Sequence, residues 1–125
     1  MADEIDPQKV PIDPDEIVIR HIPKDQLPDI TAASFVLRNL RSGREKGLSV
    51  YRRQFKTAKE LLEQFPEEKR GRVVEAKVSD LLALGFKLVI TGVKPGHTEI
   101  QSGDREVDSL EAAQDISLEF DFANE

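Results

Sequence analysis

The sequence predicts a single small α+β domain, built on a mainly antiparallel sheet with one principal helix at about 57–65 and short helical turns. Three observations carry this. Short β-branched or alternating runs are separated by Gly and Pro, without the regular strand–helix alternation of a doubly wound sheet. Thr57-Ala58-Lys59-Glu60 has the form of a capping box, followed by Leu61, Leu62 and Phe65 at helical spacing and stopped by Pro66. The chain has 125 residues, enough for one domain with a real core.

Taken in order, residues 1–16 hold Pro7, Pro11 and Pro14 among acidic residues. Proline removes an amide donor and disfavours helix before it, so this stretch reads as an acidic, mobile, extended arm. The domain proper is expected over 17–125. Ile17-Val18-Ile19-Arg20-His21-Ile22 is a β-branched strand closed by Pro23. Period two puts Ile17 and Ile19 on one face, and Val18 and Arg20 on the other. Residues 29–37 read as a helical turn and then an extended segment, and 38–47 as a basic loop with Gly43 and Gly47 as turn residues.

Leu48-Ser49-Val50-Tyr51 alternates, with Leu48 and Val50 toward the core and Ser49 and Tyr51 opposite. After the capped helix, 72–78 reads as a strand. Ser79 is placed as the cap of a helical turn ended by Gly85. Strands follow at 86–90 and 97–100, and one helical turn at 111–114. Ile116, Leu118, Phe120 and Phe122 alternate with Ser117, Glu119 and Asp121, which predicts a half-buried C-terminal strand at about 116–122.

Charge is segregated along the chain. Residues 1–16 carry six acids and one base, 17–103 carry ten acids and 16 bases, and 104–125 carry eight acids and one base. Residues 38–59 alone hold eight bases and one acid. Arg38, Arg41, Arg44 and Lys46 are therefore candidates for binding an anion, and nucleic acid is a partner class to weigh. The net charge of −6, the absence of Trp and the single Tyr oppose a nucleic-acid surface. The acidic ends lying over the basic centre is the competing account.

With no cysteine, disulfides, thiolate metal sites and cysteine nucleophiles are excluded, and a reducing, cytoplasmic setting is expected. No apolar run approaches the roughly 18 residues of a membrane span, and the acidic N-terminal residues lack the form of a signal peptide. The two histidines, His21 and His97, have no metal-ligand spacing, so no metal is expected. No phosphate-loop or dinucleotide fingerprint occurs.

One polar constellation is spread over three strands. Arg20 and His21 end the first. Ser49 and Tyr51 share a face on the second, followed by Arg52 and Arg53. His97 and Glu99 share a face on a late strand. If the strands are neighbours, these residues form a cleft with His21, Tyr51, Arg52, Arg53 and His97 as ligand-binding candidates. The ordinary reading of the same residues is the solvent face of a one-sided sheet.

The order Arg20, Ser49, Glu99 resembles that of ADP-ribosyltransferase-like, NAD-cleaving domains, over about 17–100. The resemblance implies NAD as cofactor, with Arg20 on its phosphates, Ser49 ordering the site and Glu99 supporting the developing ribosyl cation. Without that resemblance no cofactor is expected. The reading that needs no motif is a small accessory or regulatory protein that acts by binding a protein partner.

Overall fold

A computed structural model describes residues 6–24, 47–107 and 109–123. Its centre is one six-stranded sheet in the order β4-β5-β2-β1-β3-β6, antiparallel at every pairing. The strands are β1 (Ile17–Ile22), β2 (Gly47–Arg52), β3 (Arg72–Lys77), β4 (Phe86–Ile90), β5 (His97–Ser102) and β6 (Asp121–Phe122). The helices are α1 (Ala58–Leu62), α2 (Val78–Ala83) and α3 (Leu110–Glu119). This is the α+β, mainly antiparallel class that the sequence predicts.

Period-two alternation sorts the strand residues into two layers. Val18, Ile22, Leu48, Val50, Val74, Ala76, Phe86 and Ile100 face one side, where they pack against Val78 and Leu81 of α2 and Ala112, Ala113 and Ile116 of α3. Ile19 and Val73 face the other side, with Leu61 of α1 and Ala123, flanked by Ile17, Tyr51, Leu62 and Phe65. Each large aliphatic side chain so enclosed contributes about 1.5–3 kcal/mol through lost water contact.

The capping box forms as the sequence implies. The Thr57 hydroxyl accepts from the Glu60 amide at 3.1 Å, and the Glu60 carboxylate accepts from the Thr57 amide at 3.0 Å. Helix α1 is short, however, and among the described residues the longest helix is α3. Gly47 is the first residue of β2 rather than a turn residue, and a Cβ there would collide with the Ile100 carbonyl oxygen. Helix α2 starts at Val78 with Lys77 as its cap and no side-chain capping bond, so Ser79 lies inside it.

The largest correction is at the C-terminal end. The strand expected at 116–122, and the single turn expected at 111–114, are replaced by α3 followed by the two-residue β6. The Ser109 hydroxyl caps α3 by accepting from the Ala112 amide at 3.0 Å. Ala112, Ala113, Ile116 and Phe120 fit helical spacing as well as the last two fit alternation. Leu118 separates the two patterns: a strand buries it beside Ile116, whereas here it is 81% exposed.

The second correction concerns the arm. Residues 6–16 are held against the sheet, not free of it. Pro7–Lys9 form one 3₁₀ turn capped by the Asp6 carboxylate. The Gln8 side chain clamps the β4–β5 connection: its amide nitrogen donates to the carbonyls of Thr91 at 2.7 Å and His97 at 3.1 Å, and its oxygen accepts from the Gly96 amide at 2.9 Å. Gly96 has φ +82°, a left-handed conformation that favours glycine.

Candidate functional site

Strand order makes the three polar strands neighbours, with β2 between β1 and β5. Tyr51 pairs with His97, and Ser49 pairs directly with Glu99. Paired residues in an antiparallel ladder share a face, so these four side chains form one polar strip, and His21 lies on the same face of β1.

Arg20 does not join them. Its position between Val18 and Ile22 turns its side chain toward the α2/α3 side. The β1–β2 ladder pairs Val18 with Arg52 and Ile19 with Tyr51. Beyond that, the Arg20 guanidinium donates to the Ser49 carbonyl at 2.6 Å. Arg20 thus reaches the backbone of Ser49 while its side chain stays on the opposite face.

Arg52 is a further correction, because it is not placed to meet an external ligand. It lies on the core-facing side with Leu48 and Val50 and is 0% exposed. Its Nε and Nη2 donate to the two Glu16 carboxylate oxygens at 2.6 and 3.0 Å. Its remaining donors meet the carbonyls of Val10 at 2.6 Å and Pro11 at 2.9 Å. Phe55 lies 4.9 Å from the guanidinium. Planar, bidentate pairing of this kind is what arginine does best. Burial pushes the Glu16 carboxyl upward, but hydrogen bonds from Arg52, Gln54 and the Asp13 amide, with the Arg52 charge, outweigh it and hold Glu16 below the ordinary 4.5.

Within the strip, each titratable group already has a local partner. His97 Nδ1 sits 2.9 Å from the Thr91 hydroxyl and 3.2 Å from the Thr91 carbonyl oxygen. Glu99 accepts from the Gln101 amide at 2.9 Å. Tyr51 meets His97 edge to face at 5.2 Å, and the Lys56 ammonium lies 4.5 Å from the Tyr51 ring centre. Burial raises the Tyr51 phenol above its ordinary value. Burial, then the neighbouring Lys94 charge, lowers Lys56. Arg53 points to this face and pairs with Glu75 at 3.1 Å. Arg38, Arg41, Arg44 and Lys46 lie outside the described residues, as does the segment 29–37.

The end of β1 adds a feature that the sequence reading missed. His21 stacks on Phe65 with ring centres 3.8 Å apart and planes 14° apart. Around this pair, Pro23 and Pro66 wall a groove of about 630 Å³, with Lys24, Lys69 and Glu68 at its rim. The Gly71 amide donates to His21 Nε2 at 3.3 Å, which places the ring proton on Nδ1. Burial first, and the Arg20 charge second, lower the His21 pKa from 6.5, while a backbone hydrogen bond to Lys69 pulls the other way. The available signal was the pair of prolines: Pro23 follows the end of β1 at Ile22, Pro66 follows the turn after α1, and each has an aromatic ring, His21 or Phe65, one or two residues before it.

The described residues contain no group of three His, Cys, Asp or Glu side chains that could hold a metal ion. None of their helices is long and apolar enough to cross a membrane. No protein-family model matches this chain, nor does any curated protein or solved structure.

Proposed function

We propose that this domain is a small accessory or regulatory protein of the cytoplasm that acts by binding a protein partner through the outer face of α3. The observation that carries the reading is the row Leu110, Gln114, Leu118. These residues are four apart and so align along one side of the helix. All three are exposed, Leu110 at 62% and Leu118 at 81%. The opposite side, Ala112, Ala113 and Ile116, is fully enclosed in the core. Two large aliphatic side chains on the outer side of an otherwise well-patterned helix are unexplained by folding alone.

The surroundings suggest the partner's chemistry. Residues 104–125 carry eight acids and one base. That base, Arg105, is already paired with Asp115 at 2.9 Å and lies 3.9 Å from Glu111. A surface with an apolar centre and a Lys/Arg border is complementary to this face.

The test compares the wild-type chain with Leu110→Glu/Leu118→Glu in a pull-down from the native host. Circular dichroism confirms that both are folded. The expected result is a stoichiometric partner that the variant loses and that binds more slowly as salt rises. Equal recovery of all stoichiometric partners by both chains overturns the reading.

NAD cleavage is a second reading, favoured by one observation: Ser49 and Glu99 are directly paired on a shared face. Arg20, on the opposite face, would then act through the Ser49 backbone. The assay is nicotinamide release from NAD, abolished by Glu99→Gln. Absence of release from the wild-type chain removes this reading.

A further inference from the structure

We propose that the groove at the end of β1 is a binding site for a planar aromatic anion, a flat ring carrying a carboxylate or phosphate group. Three features of the groove specify this class. Its inner side is the His21–Phe65 stack, with the rings 3.8 Å apart and nearly parallel. Its walls are the rings of Pro23 and Pro66. Flat ligand rings pack well against both kinds of surface. Its volume, about 630 Å³, lies within the range of small-molecule sites.

The charge comes from the rim. Lys24 and Lys69 stand there against the single acid Glu68. This is a locally positive opening on a chain with a net charge of −6, so an anion is drawn to this end of the sheet. The Arg20 charge adds to the field and is felt by His21, whose neutral form it favours. The imidazole nitrogens are committed to the backbone, Nε2 to the Gly71 amide and the ring to Lys69. His21 therefore serves as a rigid aromatic surface, while the lysines hold the charge. This site is separate from the α3 face and does not depend on it.

The test titrates benzoate, adenosine 5′-monophosphate, adenosine and inorganic phosphate into the full-length protein. The Gly71 amide and the Phe65 and His21 ring signals are followed by NMR. One or both aromatic anions are expected to shift all three saturably and to raise the apparent His21 pKa. Benzoate acting alone identifies a carboxylate ligand, and the monophosphate acting alone identifies a phosphate ligand. Adenosine should bind at least tenfold more weakly than its monophosphate where the latter binds. In Lys24→Ala/Lys69→Ala, whose substituted side chains are on the surface, affinity for the active anion should fall about tenfold, as expected for two exposed charge contacts. The proposal is overturned if neither aromatic anion gives saturable shifts at millimolar concentration. It is equally overturned if inorganic phosphate alone reproduces them, or if the double variant binds unchanged.

Discussion

Arg52 and Arg53 are neighbours in sequence and opposites in structure. Arg52 is fully enclosed on the α2/α3 side of the sheet, where it binds Glu16 and the carbonyls of the N-terminal segment. Arg53 lies on the other side, half exposed, with a single ion pair to Glu75. Arg52 is the last residue of β2 and Arg53 the first beyond it, on the other side, and the two sides of the sheet do different things with the same functional group. One side spends a buried cation on tying down a segment that has little apolar surface of its own. The other keeps its charges at the surface, over a smaller core roofed by α1. A basic sequence is therefore not one basic surface: its charges are divided between an internal tie and an external rim.

Breaking the internal tie should have the largest effect. Arg52→Met removes every partner of a Glu16 side chain that is only 5% exposed, apart from Gln54 and the Asp13 amide. Loss of one member of a buried pair costs about 3–5 kcal/mol, because the other charge is left without compensation. Urea unfolding measures it. Arg52→Met/Glu16→Leu should recover most of the loss. No recovery would show that the guanidinium bonds to the Val10 and Pro11 carbonyls dominate.

Acid should separate the two regions. Glu16 is held below its ordinary 4.5, so its contribution is present above pH 4.5 and is lost as pH falls through the folded value. His21 is also lowered, but it is a base. The unfolded chain takes up its proton first, so stability is full above pH 6.5 and is lost from there down to the folded pKa. Stability measured against pH should therefore begin to fall below pH 6.5, with a further loss added below pH 4.5. His21→Phe, which retains a ring against Phe65, should remove the loss that begins at pH 6.5 and leave the acid loss in place. Stability that stays flat from pH 6.5 down to 4.5 in the wild-type chain would overturn the assignment of His21.

The same division can be tested on α3. Ile116→Ala should cost about 2–5 kcal/mol by emptying a core position. Leu118→Ala should change stability by no more than about 0.5 kcal/mol, as a surface substitution does. A strand would make the two costs alike, so the ratio from denaturant unfolding tests the helix directly.

These positions also show what was legible in the sequence. Strand β1, the inward Leu48 and Val50, and the Thr57 capping box follow from local rules, because alternation and capping act within a few residues. The same alternation, carried one step further, places Arg52 inward with Leu48 and Val50. The charge concealed that reading, since arginine is seldom buried unless paired. Its partner, Glu16, is 36 residues away in sequence and no local pattern points to it. Residues 116–122 failed for a different reason. Ile116 and Phe120 are four apart and satisfy both periods, and only the long-range packing of α3 on α2 and the sheet decides between them. In the polar strip, the pairing of Ser49 with Glu99 needed strand order, which the sequence did not contain. The groove needed the end of β1 to meet the turn that follows α1, a contact between residues 44 apart in sequence.

The smallest effect should come from the external ion pair. Arg53 and Glu75 approach to 3.1 Å, yet their side chains are 50% and 29% exposed. Water screens such a pair and the side chains lose freedom in forming it, so its net worth is about 0–1 kcal/mol. A double-mutant cycle with Arg53→Ala and Glu75→Ala should give a coupling in that range, declining toward zero as salt rises toward molar concentration. The Arg53 backbone amide, which donates to the Ile17 carbonyl at 3.0 Å, is untouched by the substitution and keeps β2 attached to β1. A coupling that rivals the Arg52–Glu16 tie would mean that the face roofed by α1 is drier than its exposure indicates. The distinction between a buried charge that fixes the chain and a surface charge that does not would then fail for this sheet.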